Sequence, residues 1–330
     1  MQNQIQKLGE LIQNSQKILL INHIRMDGDA WGSLGGLALI LREMGKEVHG
    51  INDCGVPPAL QFLGDTEIIN PELDVETFNP DIIISLDASD TERLGETYIK
   101  WKSIFEETIL VNIDHHISNP QFGNINIVDA QASSVCEIMV QIIQELKLEQ
   151  FVSSEAATFL YTGLQTDSNM YFNTNTRAAT LRAGAVLLEL GADFRLPVSE
   201  LYKKRTQNQI RVWQYALDQI EYHQEGNIAS CVLTREGLKS LAVDRDELGL
   251  YFKGLVSEIL INIEGVKVAF LIYPLSQNEN KVSMRSQEGY NVAKICESFG
   301  GGGHKQAAGF QSEEKSGEII TDIMKKINFL

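Results

Sequence analysis

The chain lacks the features of an exported, disulfide-bonded or membrane-spanning protein. Its four cysteines (Cys54, Cys136, Cys231 and Cys296) lie far apart and show no CxxC spacing, so neither a disulfide nor a thiolate metal site is expected. No stretch reaches the roughly 20 apolar residues of a membrane span. The polar N-terminus contains no apolar run of signal-peptide length. These absences predict a cytoplasmic protein.

Basic side chains are also few. The 330 residues include 28 Lys and Arg against 44 Asp and Glu, which gives a net charge of −16. Proteins that hold long DNA or RNA usually present a basic face to the phosphates, so this composition argues against long duplex nucleic acid as a partner. Short nucleotides remain compatible, because bound divalent cations and a few local basic residues can offset phosphate charge.

Residues 1–191 alternate short apolar runs with helical patterns, and this alternation predicts an α/β domain. Strands are predicted at 17–22, 47–51, 81–86 and 108–113, and helices at 33–44, 134–148, 154–164 and 176–190. Strands that are apolar throughout are typical of a mostly parallel sheet with helices on both faces.

The rest of the chain predicts a helical connection and a second domain. A long polar helical pattern covers 192–221. A smaller α/β domain follows at 222–330, with strands predicted at 229–234, 266–274 and 281–286, a helical stretch near 246–260 and a C-terminal helix. The size of the chain suits two domains.

Acidic and histidine side chains occur at four places, three of them directly after predicted strands. The four places are His23 with Asp27 and Asp29, then Asp87, then Asp114 with His115 and His116, and finally Asp167. Open α/β sheets bind their ligands beyond the carboxyl ends of the strands, so we expect one common site. Asp27 and Asp29 are expected in an extended segment, with both side chains on the same side. Converging carboxylates repel one another, and a divalent cation would relieve that repulsion.

The ordered set HxxxDxD, D, DHH, D resembles the DHH phosphoesterase superfamily. The segments SMRS at 283–286 and GGGGHKQAAG at 300–309 resemble the DHHA1 domain that follows the DHH domain in one of its subfamilies. Together these motifs span nearly the whole chain. Its size and two-domain plan are most similar to the NrnA-type members, which act on short oligoribonucleotides and on 3′-phosphoadenosine 5′-phosphate (pAp).

The resemblance implies a role for each matching residue. His23, Asp27 and Asp87 would hold one metal ion, and Asp29, Asp87, His115 and Asp167 would hold a second, with Asp87 bridging. The catalytic residues would be Asp87, His116, which faces the substrate phosphate, and Asp114, which orients the histidine pair. The substrate-binding residues of the second domain would be Arg285, Ser286, Gly302, Gly303 and His304. One departure is Phe172, which stands near the place of a family arginine.

Oxygen and imidazole ligands without thiolates favour two Mn²⁺ ions, with Mg²⁺ as the alternative. The expected partners are short RNA oligonucleotides or small nucleotides, without a membrane, and a homodimer is compatible with the chain. Three other functions stay open. They are a cyclic or linear dinucleotide phosphodiesterase, an exopolyphosphatase, and a nucleotide-binding regulator with a non-catalytic metal site.

Overall fold

The computed structural model describes residues 1–241, 248–252 and 254–327. The chain divides into two compact units, Met1–Lys204 and Arg205–Leu330. In the described ranges, no helix has the length and apolar character needed to cross a bilayer.

The N-terminal unit is built on a parallel sheet of five strands in the order β2-β1-β3-β4-β5. The strands are β1 (Lys17–Asn22), β2 (Glu47–Ile51), β3 (Ile82–Leu86), β4 (Ile109–Asp114) and β5 (Ile125–Val128). Alternate residues of β1 point into different cores. Ile18 and Leu20 belong to one cluster of buried apolar side chains, and Leu19 and Ile21 belong to another. The sheet is therefore covered on both faces, as the continuous apolar strands predicted.

Helices supply the two outer layers of this unit. They are α1 (Gln2–Asn14), α2 (Gly28–Glu43), α3 (Val75–Phe78), α4 (Gly95–Lys100), α5 (Lys102–Glu107), α6 (Val135–Leu146), α7 (Ser154–Asp167), α8 (Ala178–Glu189) and α9 (Arg195–Pro197), and a π-helical turn follows at Val198–Lys203. Serine residues cap two of these helices. The hydroxyl of Ser134 accepts a hydrogen bond from the N–H of Glu137, and that of Ser153 accepts one from the N–H of Ala156.

The C-terminal unit contains a six-stranded sheet in the order β10-β11-β9-β8-β7-β6. Its strands are β6 (Ile220–His223), β7 (Ile228–Val232), β8 (Val268–Pro274), β9 (Asn280–Ser286), β10 (Gly302–His304) and β11 (Ala307–Ser312). Only the β7–β8 pair is parallel among the described pairs of this sheet. The helices are α10 (Gln207–Leu217), α11 (Arg235–Ser240), α12 (Leu248–Tyr251), α13 (Val292–Glu297) and α14 (Ser316–Ile327), with a π-helical turn at Leu255–Ile259.

The architecture confirms the predicted fold class, a helix-flanked parallel sheet followed by a second α/β unit. One local prediction is wrong. Helix α2 begins at Gly28, five residues before the predicted start, so Asp29 is not in an extended segment. The reason is that Asp27 caps the helix, because its carboxylate accepts the N–H groups of Asp29 and Ala30 at 3.1 Å each. The predicted helical stretch near 246–260 falls partly on 246, 247 and 253, which lie outside the described residues.

Candidate metal centre

The register of the central strands brings three of the predicted motif segments to one edge of the sheet. Asn22 at the end of β1 lies beside Leu86 of β3, and Leu86 lies beside Ile113 of β4. The residues that follow these strand ends are therefore neighbours. Asp87 turns there through a left-handed backbone conformation, with a φ of 58°. Its N–H donates to the carbonyl of Ile113 at 3.0 Å, and this hydrogen bond holds the turn in place.

Helices α2 and α7 bring the remaining carboxylates to this edge. Asp27 and Asp29 lie at the start of α2, and Asp167 is the last residue of α7. The two helices approach closely, because a Cβ at Gly32 would lie 2.5 Å from the carbonyl oxygen of Phe159. Only glycine at position 32 permits this approach. The close crossing therefore brings the first turn of α2 beside the last turn of α7.

Three overlapping groups of potential ligands lie at this edge. They are His23 with Asp27 and Asp87, Asp29 with His115 and Asp167, and Asp87 with His115 and His116, and the ligand atoms within each group lie within 4.8 Å of one another. Oδ2 of Asp87 lies 3.5 Å from Nε2 of His23, whereas its Oδ1 lies 3.5 Å from Nε2 of His115. The two carboxylate oxygens of Asp87 thus face different groups, which is the arrangement that a bridging ligand needs.

Further contacts lie within the first two of these groups. Nε2 of His23 is 3.8 Å from Oδ2 of Asp27, and Nε2 of His115 is 3.3 Å from Oδ2 of Asp167. Nδ1 of His115 lies 3.4 Å from the carbonyl of Ala132. A proton on Nδ1 would donate to that carbonyl and leave Nε2 free for a cation.

Protons occupy this cluster when no metal is bound. Burial, together with the charge of Asp87, raises the pKa of Asp29 to about 7. Burial, with the charges of Asp29 and Asp87, also raises the pKa of Asp167 well above its usual range. Burial lowers the pKa of both His23 and His115, but their carboxylate neighbours outweigh it and raise the two values to about 9 and about 10. The cluster therefore attracts positive charge.

A divalent cation fits this donor set. Oδ1 of Asp87 is buried and receives no hydrogen bond from any residue in the described ranges. A buried carboxylate oxygen without a donor is costly unless a cation compensates it. Carboxylate oxygens and imidazole nitrogens are ligands for Mn²⁺, Mg²⁺ or Zn²⁺. The structure brings the six predicted ligands together, and their individual roles stay predictions.

The remaining residues of the DHH motif form a hydrogen-bonded relay beside the cluster. Nδ1 of His116 lies 2.7 Å from Oδ1 of Asp114, and the side-chain amide of Asn119 donates to Oδ2 of Asp114 at 2.6 Å. Burial raises the pKa of Asp114, but these hydrogen bonds outweigh burial and hold the value below its usual range. Asp114 is thus an anion that fixes the ring of His116. Asn119 was not among the residues predicted from the sequence, although it is an amide only three residues after His116.

Asp29 is held by the start of helix α6. Its two oxygens accept the backbone N–H groups of Val135 at 2.6 Å and Cys136 at 3.0 Å. The buried Glu137 holds Ser133, two residues before Val135. Its Oε2 accepts both the N–H (3.0 Å) and the hydroxyl (2.7 Å) of Ser133. Glu137 was not among the residues predicted from the sequence. The spacing Ser134-x-x-Glu137 is the capping-box pattern, and it was the signal available.

Glu137 also connects the loop before α6 to helix α8. Its Oε1 accepts from Arg177 at 3.0 Å and its Oε2 accepts from the hydroxyl of Thr180 at 2.8 Å. The amide of Asn175 donates to the carbonyl of Ser133 at 3.1 Å. The backbone that carries Asp29 is therefore fixed from two sides, and this fixes the position of its carboxylate.

The predicted substrate-binding residues of the C-terminal unit lie on its sheet. Gly302, Gly303 and His304 form the exposed strand β10, so the glycine run forms part of a hairpin. Gly303 has a φ of 144°, and a Cβ there would collide with the carbonyl oxygen of Ala307. The hydroxyl of Ser286 donates to the carbonyl of Tyr290 at 3.1 Å.

Arg285 and His304 lie in one row across three strands of this sheet. His304 pairs with Ala307, and Ala307 pairs with Arg285, so the three side chains share one face. Arg285 is half-buried and donates to the carbonyl of Met284 at 2.8 Å. Burial lowers the pKa of Arg285. No carboxylate in the described ranges forms a salt bridge with it, which leaves a cation available for an anion.

The fold and the cluster define a metal-dependent hydrolase of the α/β class. Two domain families match the chain, the DHH family N-terminal domain over residues 17–164 and the DHHA1 domain over residues 252–328. The chain belongs to the DHH phosphoesterase family.

Relatives in the family agree in length with this chain. A protein of Thermus thermophilus named bifunctional oligoribonuclease and PAP phosphatase NrnA is 29% identical, over 88% of this chain and 83% of its own. The Bacillus subtilis protein of the same name is 27% identical over 93% of each chain. An exopolyphosphatase-related protein of Bacteroides fragilis has the same fold, with a TM-score of 0.87 and 22% identity over 99% of this chain and 96% of that one.

Proposed function

We propose that the protein hydrolyses short oligoribonucleotides to mononucleotides and removes the 3′-phosphate of pAp. The observation that carries this proposal is Asp87, whose two oxygens face two separate ligand groups 3.5 Å away on either side. The names of the relatives from T. thermophilus and B. subtilis support the choice of substrates. A cytoplasmic location and the capacity to form a homodimer stay predictions of the sequence.

We propose two divalent ions for the centre, Mn²⁺ in preference to Mg²⁺ because imidazole nitrogens are among the donors. His23, Asp27 and Asp87 would hold one ion, and Asp29, Asp87, His115 and Asp167 the other. Two ions bound there would supply Lewis-acid stabilisation of the phosphoryl oxygens and activation of water.

The residues around the ions would orient the substrate and move protons. The carboxylate of Asp114 accepts a hydrogen bond from Nδ1–H of His116. A proton on Nε2 of the partly exposed ring would let that nitrogen donate to a phosphoryl oxygen. The amides of Val135 and Cys136 keep Asp29 aimed at the cluster. In the C-terminal unit, the guanidinium of Arg285 would bind a phosphate group, with His304 in the same row.

The test is to offer the purified protein, with Mn²⁺, the substrates pApA, pAp, cyclic di-AMP and polyphosphate side by side. We expect mononucleotide from pApA and phosphate from pAp. Cleavage of cyclic di-AMP alone or polyphosphate alone would replace the substrate and keep the metal centre. Nucleotide binding without turnover of any of the four would identify a regulator.

Asp87→Asn is the appropriate negative control for this test. Asparagine keeps the shape of the side chain and tolerates the left-handed backbone conformation of residue 87 better than alanine does. Loss of activity in this variant therefore reports on the carboxylate charge. Asp90→Asn, in the same loop, is the matched substitution outside the ligand groups.

A further inference from the structure

The two most exposed large apolar side chains in the described ranges both flank the candidate metal centre. Ile117 is 92% exposed and Phe172 is 84% exposed, whereas the next, Ile99, is 64% exposed. Ile117 directly follows His116, and Phe172 lies five residues after Asp167. Exposed apolar side chains are common as single residues, but two such extremes beside one site point to a ligand with an apolar surface.

Ile117 lies in an ordered turn. The N–H of Asn119 donates to the carbonyl of His116 at 3.1 Å. The side-chain amide of Asn119 donates to the carbonyl of Ala88 at 3.1 Å and to Asp114. Ile117 is therefore held in solvent by a turn that is bonded on both sides, next to a histidine of the cluster.

Phe172 lies in a second ordered loop, which follows α7. Three successive residues, Asn169, Met170 and Tyr171, have left-handed φ values of 47°, 55° and 68°, which non-glycine residues rarely adopt. The N–H of Met170 donates to the carbonyl of Gln165 at 2.7 Å. Tyr171 packs against the core, while the neighbouring phenyl ring stays in water.

The second loop is bonded to the metal-ligand candidate itself. The side-chain amide of Asn173 donates to the carbonyl of Asp167 at 2.8 Å, and its N–H donates to the carbonyl of Ser168 at 2.9 Å. Asp167 and His115 are in turn 3.3 Å apart. The two loops thus begin at side chains that touch each other, and each loop holds one apolar side chain in solvent.

We propose that Phe172 and Ile117 form an apolar rim that binds the base of the nucleotide substrate, with the ring of Phe172 stacked on the base. Aromatic side chains stack on any nucleobase, because every base has a π-face. The chemistry recognised is therefore a base attached to a phosphoester, without selection among bases. This inference rests on the proposed function, because it takes the metal centre as the site of the phosphate.

The test compares two substrates on the full chain with Mn²⁺. One is pApA, and the other is the same dinucleotide with both bases removed, which keeps every phosphate. We expect Phe172→Ala to lower kcat/KM for pApA about tenfold, mostly through KM, as base stacking on an aromatic side chain implies. For the abasic substrate, kcat/KM should change by less than about twofold, because there is no base to stack on the ring. Phe172→Trp should retain activity, and Ile117→Ala should show a smaller loss in the same direction.

Phe194→Ala is the matched control, because Phe194 is another exposed phenylalanine of the same unit. The affinity for Mn²⁺ should be the same in the wild type and in all four variants. An equal loss on both substrates, or a weaker Mn²⁺ affinity in Phe172→Ala, would show a structural role for the loop and overturn the rim. No loss on either substrate would overturn it as well.

Equilibrium binding of pApA keeps the two proposals apart. A wild-type protein that binds pApA without hydrolysing it overturns the proposed function, and the rim is then judged by whether Phe172→Ala weakens that binding. A wild-type protein that neither binds nor hydrolyses pApA overturns both.

Discussion

The edge of the N-terminal sheet and the hairpin of the C-terminal sheet, both of which we propose as phosphate-binding places, differ in how their charged residues are held. At the first edge the carboxylates of Asp29 and Asp87 are buried and held by backbone hydrogen bonds or by neighbouring histidines. At the second, Gly302, Gly303 and His304 are exposed, and the nearby cation, Arg285, has no carboxylate partner among the described residues.

This difference is the one expected between a site that stabilises a transition state and a site that only recognises a substrate. Charges that act on a transition state are strongest when they are buried and already oriented, and repulsion among buried carboxylates is acceptable only if a cation relieves it. Recognition of a phosphate needs only a positive side chain and room for the ligand. We therefore expect the largest losses of turnover from substitutions in the buried cluster, and changes in KM from substitutions in the C-terminal sheet.

The sharpest test of this comparison is Asp87→Asn. We expect kcat/KM for pApA to fall by about a thousandfold, because Lewis-acid stabilisation is worth several kcal/mol and each 1.36 kcal/mol corresponds to a factor of ten in rate. Circular dichroism should be unchanged. The number of Mn²⁺ ions bound, measured by calorimetry, should fall below that of the wild type. Activity within about tenfold of the Asp90→Asn control would contradict the assignment of Asp87.

Asp114→Asn tests whether the relay beside the cluster acts through His116 alone. Asparagine cannot supply the negative charge that fixes the Nδ1 proton, so we expect kcat to fall by about 10- to 100-fold. The Mn²⁺ stoichiometry should stay that of the wild type, because Asp114 bonds His116 and Asn119 and belongs to neither of the two proposed ligand sets. Loss of bound metal would instead make Asp114 part of the metal centre.

Competition between protons and Mn²⁺ for the histidines of the buried cluster provides a third test. His23 and His115, with pKa values of about 9 and about 10, carry protons at pH 7 and must lose them to bind a metal. Their protonated forms predominate below these values, so the apparent affinity for Mn²⁺ should rise with pH from 6 towards 9. Each released proton should contribute up to about tenfold in affinity per pH unit.

Calorimetry in buffers of different ionisation enthalpy counts the released protons. His23→Gln should reduce the count by about one, whereas His49→Gln, at a half-buried histidine packed on Phe78, should leave it unchanged. An affinity for Mn²⁺ that does not vary between pH 6 and 9 would contradict the picture of protons held in place of a cation.

The sequence alone predicted four of the five strands of the N-terminal sheet, because these strands are largely buried on both faces and carry apolar side chains at most positions. Strand β5 (Ile125–Val128) was not predicted. Lys17–Asn22 was predicted to the residue. The motif residues at the strand ends were predicted for a related reason, since parallel strands place their carboxyl ends together. The predicted start of α2 was wrong, because Gly28 and the capping role of Asp27 leave no apolar periodicity to detect before Ser33.

Features that depend on contacts distant in sequence were not predictable. Strand β10 was missed, because Gly302 and Gly303 are poor strand formers and only pairing with β11 makes them a strand. Glu137 bonds Arg177 and Thr180 about 40 residues away, and no local sequence pattern predicts these two hydrogen bonds. The half of the site that follows strand ends could thus be predicted, and the half that holds it in place could not.

The smallest effect, and the one that addresses the other side of the comparison, is expected from Arg285→Ala. A guanidinium without a carboxylate partner can bond a phosphate through two N–H groups. Its loss should raise KM for pApA by about tenfold, since a hydrogen bond to a charged group contributes at least about 1.5 kcal/mol and each 1.36 kcal/mol corresponds to a factor of ten. The value of kcat should change by less than about twofold.

Lys281→Ala is the matched control, because Lys281 lies on the same strand, four residues before Arg285, and is half-buried like it. A fall in kcat equal to the rise in KM would mean that Arg285 acts in the transition state, and the contrast between a catalytic edge and a recognition surface would fail. A rise in KM alone would mean that the C-terminal sheet contributes the same binding energy to substrate and to transition state. A cation without a carboxylate partner, such as Arg285, can supply this uniform binding. The buried cluster would then supply the interactions that are stronger in the transition state than in the bound substrate.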